Sequence, residues 1–172
     1  MCDIMELREV IEKKHFENIG ECTKKYKVDR LNRKQKWCEI YDENNCLYKS
    51  SFYIDNLKHG YIEIFHKGTK KLSNRNCYLK GKLKYKERYD NNGNIFEHIE
   101  YDENKKNGAY LMYYADGKLF SRGICENGVF EGNFEYFYNN DNNTIKKIFF
   151  YEKGKIKSYI KFSDKGEIIE EK

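Results

Sequence analysis

The chain has 172 residues, with 33 Lys plus Arg against 28 Asp plus Glu and a net charge of +5. Sixteen Tyr, eleven Phe and one Trp make 16% of it aromatic, which is too much large apolar surface for a wholly disordered chain. No apolar run approaches the roughly 18 residues that a membrane-spanning helix needs, and the Met1–Glu6 start has neither the basic nor the apolar region of a secretory signal, so a cytoplasmic chain is expected.

The first segment has Ile4, Leu7, Val10, Ile11 and Phe16 at near-helical spacing, with Glu6, Arg8, Glu12 and Lys13 between them. That pattern predicts one amphipathic α-helix from about 3 to 16, ending before Asn18 and Gly20. A first strand is expected at Tyr26-Lys27-Val28. Residues 1–35 then read as a cap over the first edge of a repeat array. No Gly- or Ser-rich linker separates the two, so one domain is expected.

From 36 to 172 the chain repeats itself about every 24 residues, with units starting at 36, 60, 84, 108, 132 and 157. With the first residue of each unit as position zero, plus five is always aromatic: Tyr41, Phe65, Tyr89, Tyr113, Phe137 and Phe162. An aliphatic follows near plus eleven: Leu47, Leu72, Ile95, Leu119, Ile145 and Ile168. Between them lie turn residues such as Asn92-Gly93, Asp116-Gly117 and Lys165-Gly166, and a second turn closes most units at Asp55-Asn56, Lys80-Gly81, Asp102 to Asn104, Asn127-Gly128 and Lys153-Gly154. Each unit is therefore two strands and two turns, and connections this short make neighbouring strands antiparallel. The expected fold is mainly β: an elongated antiparallel meander of six hairpin repeats, about 11 to 13 strands, after one N-terminal helix. The plus-five rings are expected on one face, each stacked on its equivalents, and the glycines are assigned to the hairpin turns.

The pattern G-x-Y-x-x-Y-Y-x-x-G-x-L of Gly108–Leu119, with the step Asn127-Gly128-Val129-Phe130-Glu131-Gly132, resembles the MORN repeat, and more closely the variant in YwqK-type antitoxin-like proteins. The resemblance spans about 36–172 and weakens in the unit at 84, where Lys84-Tyr85-Lys86 stands. It implies a structural repeat with no catalytic residue. The function it implies is a non-enzymatic protein-binding module, an antitoxin- or immunity-like inhibitor that masks a toxin or effector enzyme.

The residues themselves carry no phosphate loop, nucleophile elbow or zinc-ligand spacing, so no enzyme, cofactor or metal is expected. The six Cys (2, 22, 38, 46, 77, 125) lack C-x2-C pairs, and free thiols are expected, although Cys38 and Cys46 could approach across a turn. Charge is uneven. Residues 24–36 carry +6 and residues 67–88 carry +8, so the remainder is acidic. Basic residues interleaved with tyrosines open an alternative function: a blocker directed at RNA or a nucleoprotein. Solvation of exposed strands and an acidic protein partner or anionic membrane surface are the competing readings. The candidate partner-binding residues are Tyr78, Lys80, Lys82, Tyr85 and Arg88. A protein partner is the leading expectation, RNA or nucleoprotein contact the second, and the oligomeric state is open.

Overall fold

A computed structural model describes residues 7–17 and 19–172. Among them it has fourteen strands and no helix. The strands are β1 (Arg8–Phe16), β2 (Gly20–Val28), β3 (Lys34–Tyr41), β4 (Leu47–Ile54), β5 (Leu57–Phe65), β6 (Leu72–Leu79) and β7 (Lys82–Tyr89). They continue as β8 (Ile95–Asp102), β9 (Lys105–Tyr113), β10 (Leu119–Glu126), β11 (Val129–Phe137), β12 (Ile145–Glu152), β13 (Lys155–Phe162) and β14 (Ile168–Glu171). The chain divides into two compact units at Leu83/Lys84. In the first, β1 to β6 pair antiparallel in chain order. In the second, β7 to β14 do the same. The class is all-β, an antiparallel meander of hairpins, with one strand more than the sequence predicts.

The predicted N-terminal helix is overturned over residues 8–16; its first residues, 3–6, lie outside the described part. Residues 8–16 form β1, paired along its full length with β2. A lone helix of this length is marginal in water, whereas β2 pairs with all nine residues of a segment holding β-branched Val10 and Ile11. Glu12 fixes the register. It accepts hydrogen bonds from Tyr26 Oη at 2.6 Å and Lys24 Nζ at 3.3 Å.

Each plus-five aromatic sits directly opposite its plus-eleven aliphatic across the turn: Tyr41–Leu47, Phe65–Leu72, Tyr89–Ile95, Tyr113–Leu119, Phe137–Ile145 and Phe162–Ile168. The repeat frame is thus the closing pair of each hairpin. Tyr113 and Phe137 make no ring–ring contact among the described residues, so the expected stack of equivalent rings is not what joins these hairpins. Hydrogen bonds join them instead. Tyr114 Oη donates to the Phe137 carbonyl at 2.7 Å and Tyr138 Oη to the Phe162 carbonyl at 2.9 Å. The two-residue turns have both central residues at positive φ, and the second N–H reaches back at Asn56, Gly81, Gly128 and Gly154, as in Gly81 to the Lys58 carbonyl and Gly128 to that of Lys106, each at 2.8 Å.

The glycines divide between two tasks. Gly68, Gly93, Gly117 and Gly166 occupy turns, as predicted. Gly60, Gly108 and Gly132, at position zero, instead lie inside β5, β9 and β11 at positive φ. They sit where one residue of the preceding strand faces three of their own, between Ser51 and Tyr53, between Ile99 and Tyr101, and between Arg122 and Ile124. These are bulges, and the left-handed backbone they need favours glycine. Lys36 holds the same place in β3 at φ 61°.

Alternation gives each unit an even face, with plus two and plus four, and an odd face, with plus one, three and five. The even faces differ. In the second unit nine rings (Tyr110, Tyr114, Phe120, Phe130, Phe134, Tyr136, Phe149, Tyr151 and Tyr159) form one connected set at centroid distances of 4.7 to 6.3 Å. Phe134 is its centre, 3% exposed, lying over Gly123. In the first unit the same positions bury Cys38 and Ile62, beside Ser51. Lysines and tyrosines border these: Lys34 Nζ lies 5.7 Å from the Tyr26 ring centre and 5.2 Å from that of Tyr53, and Lys58 Nζ 4.8 Å from that of Tyr78.

Candidate functional site

The odd face of the first unit presents the most exposed aromatic group. Trp37 follows the Lys36 bulge, is 52% exposed, and packs edge-on to Phe52, its cross-strand partner, at 5.2 Å. Tyr61 holds the same plus-one place in the next repeat, is 46% exposed, and has the Arg75 guanidinium 5.2 Å from its ring centre. Arg75 is held by two contacts to Glu63 Oε1 at 3.0 Å. A shallow hollow beside Trp37 is lined by Lys25, Lys27, Lys36 and Glu39. Tyr41 donates to Glu39 at 2.8 Å while Lys25 Nζ lies 4.9 Å from the Tyr41 ring centre. The hydrogen bond to Glu39 and, after it, burial push the Tyr41 phenol above its ordinary pKa. On this face Glu63 holds Arg75 and Glu39 accepts from Tyr41, and a half-exposed Trp, a Phe and a Tyr stand beside them as contact surface.

Of the five residues singled out from sequence, Tyr78, Lys80 and Lys82 belong to the first unit and Tyr85 and Arg88 to the second. Tyr78 lies on β6 beneath Lys58. Lys80 is exposed in the two-residue turn at φ 48°, and Lys82 is exposed at the start of β7. Tyr85 stacks on His98 at 5.4 Å. Arg88 lies 5.1 Å from the Phe96 ring centre and 3.5 Å from Glu97, a buried carboxylate that also accepts a bond from Tyr110 Oη at 3.0 Å. Arg88 thus shields an acid inside the second unit.

The 67–88 window is also less bare than its sequence, since strand pairing brings acids to it from outside. Lys67 meets Glu43 at 3.2 Å, Arg75 meets Glu63, and Lys84 meets Asp102 at 3.2 Å. A linear count of charge misses neighbours that are 12 to 24 residues away. Sequence reasoning also passed over Trp37 and Tyr61. The signal available was their shared plus-one position, next to the bulge rather than within the closing pair.

Cys22, Cys38, Cys46, Cys77 and Cys125 are free thiols, so Cys38 and Cys46 do not bridge. Burial pushes the Cys22, Cys38 and Cys125 thiols up, away from the reactive thiolate. No protein-family model matches this chain, and no curated protein does. The likeness to MORN repeats rests on the hairpin frame itself.

Proposed function

We propose that the chain is a non-enzymatic protein-binding repeat module whose contact surface is the odd face of the first unit, centred on Trp37. The observation that carries this is the exposed Trp37–Phe52 pair beside Tyr61 and Arg75. Trp, Tyr and Arg are the residues that dominate binding energy in protein interfaces. Sheet positions that need only to be soluble do not call for a half-exposed Trp next to a half-exposed Tyr. By its resemblance to YwqK-type antitoxin-like proteins, the role would be to mask a toxin or effector enzyme, in the manner of an antitoxin or immunity protein.

The test is affinity capture from the protein's own cells, using the full chain and a Trp37→Ala/Tyr61→Ala variant. The expected result is a partner retained by the first and lost by the second, at equal folded content by circular dichroism. A partner captured equally by both removes this face from the proposal. A captured partner whose enzymatic activity is unchanged by the full chain argues against masking.

A further inference from the structure

We propose that the cavity between the hairpins β3–β4 and β5–β6, walled by Tyr41, Leu47 and Phe65, binds a small aliphatic carboxylate whose chain lies on those side chains and whose charge meets Lys70. This goes beyond the protein-binding reading and does not rest on it. No partner chain is needed, and Trp37 lies four residues back along β3 from Tyr41, about 13 Å away.

The cavity follows from two neighbouring hairpins of the first unit. Tyr41 faces Leu47 across one turn, and Phe65 faces Leu72 across the next. The first turn, 42–46, has five residues and the second, 66–71, has six. The longer turn carries Lys70 to the space between the hairpins. There Tyr41, Asn45, Cys46, Leu47, Phe65 and Lys70 line a volume of about 410 Å³. Small-ligand clefts have about 300–1,000 Å³, walls that are mostly apolar, and a few polar groups that orient what enters.

The walls are set before anything binds. Asp42 is 4% exposed and braces the first turn, accepting from the Asn44 and Cys46 N–H groups at 3.0 and 2.9 Å. Its other oxygen accepts from the Gly68 N–H of the second turn at 3.2 Å. Thr69 braces that second turn, where its hydroxyl donates to the His66 carbonyl at 2.8 Å and accepts from the Lys71 N–H at 3.1 Å. Lys67 and Glu43 link the two turns again at 3.2 Å. A site ordered in advance gives up less freedom on binding.

The lining selects the ligand. Two rings and a leucine call for a hydrocarbon body. Lys70 is the one charged side chain among the lining residues, and Asn45 beside it offers an amide donor. The neighbouring acids are engaged elsewhere: Asp42 by the turns, Glu43 by Lys67, and Glu39 by the Tyr41 hydroxyl. One ammonium on an apolar cavity with no acid in its lining favours a single negative charge and disfavours a cation.

The experiment is calorimetric titration of the purified full chain with decanoate below its micelle concentration. One saturable site is expected. Hexanoate should bind more weakly, by up to about fourfold for each methylene removed. Lys70→Glu should weaken decanoate by about threefold to tenfold and leave decanol unchanged, while Lys80→Glu, the same charge change in another turn, should bind decanoate like the unmodified chain. Cys46→Trp, which fills the cavity from its wall, should abolish binding with the β-sheet circular-dichroism signal intact. If that variant does not fold, decanoate should protect half-exposed Cys46 of the unmodified chain from a thiol reagent, read by peptide mass. Trp37→Ala should bind decanoate normally. Absence of binding by the unmodified chain, equal binding of decylammonium, equal loss in Lys80→Glu, labelling of Cys46 at an unchanged rate, or loss of binding in Trp37→Ala each overturns the proposal. None of the first four touches the protein-contact reading of Trp37.

Discussion

The two units solve one problem differently. Both carry an even face that an open antiparallel sheet leaves without a covering layer. In the second unit that face is closed by rings, with nine aromatics in mutual contact around Phe134. In the first it is closed by short side chains, Cys38 and Ser51, beneath lysine stems and tyrosine rings. The ring solution excludes water by bulk and leaves little to recognise. The lysine solution buries less and leaves charge pointing outward. The same backbone frame therefore closes its variable face with ring packing in one region and with a lysine-bordered cover in another.

Breaking the ring cluster should have the largest effect. Phe134→Ala should cost about 3–5 kcal/mol in urea denaturation, as for a fully buried ring. Lys34→Gln, on the even face of the first unit, should move the midpoint little. An equal loss for both would mean that the two faces are closed in the same way. Gly123→Ala comes next. A Cβ there would lie 2.2 Å from Phe134 Cδ2 and 2.9 Å from Cγ. Overpacking of this kind costs about 1–3 kcal/mol or more. In a Phe134→Ala background the same change should cost far less, and a double-mutant cycle measures the coupling.

Lys36→Gly should act in the opposite direction and by less, raising stability by about 0.5–1 kcal/mol, because Lys36 holds the left-handed bulge that glycine fills at 60, 108 and 132. A melting temperature that falls would show that the lysine side chain contributes more than its backbone strain costs.

The smallest effects separate the units by pH. The Tyr26 hydrogen bond, against some burial and with help from Lys24, holds the Glu12 carboxyl down at about 2 from 4.5. A depressed carboxyl stabilises the fold above its unfolded pKa, so this contribution is complete above about 4.5 and fades as pH falls toward 2. Burial, then Glu97, pushes the Tyr110 phenol up to about 12 from 10. Its contribution is complete below 10 and fades as pH rises toward 12. Glu12→Gln should flatten the acid limb and Tyr110→Phe the alkaline limb of stability against pH. Limbs unchanged by these substitutions would remove both groups from the account.

What was legible in the sequence was the closing pair of each hairpin and the turns. Plus five and plus eleven repeat because they must meet across every turn, and Asn127-Gly128 or Lys153-Gly154 mark the turns because both central residues need positive φ. The even face was not legible, since Cys38, Ile62, Tyr110 and Phe134 share a position and nothing else. The first strand was misread because Leu7, Val10 and Ile11 mimic a helical stripe over too few residues to separate the two periods. Gly108 and Gly132 were assigned to turns because a bulge glycine and a turn glycine look the same in one dimension. The site residues suffered most. Arg88 counts as free charge along the chain, and only register shows Glu97 beside it.

The links between hairpins set a rule for how such an array can change in length. Tyr114 reaches a carbonyl 23 residues ahead and Tyr138 one 24 ahead, while the second turn residue reaches a carbonyl 22 to 24 behind. Each hairpin thus measures the next one against itself. Duplicating or deleting a whole repeat preserves every such measurement, so the array can gain or lose surface in steps of one repeat. Inserting a single residue within a strand breaks the links on both sides and turns its remaining side chains to the other face. Growth by whole repeats is the direction in which this fold varies without refolding, and either face can be widened for a larger partner by copying a hairpin that already works.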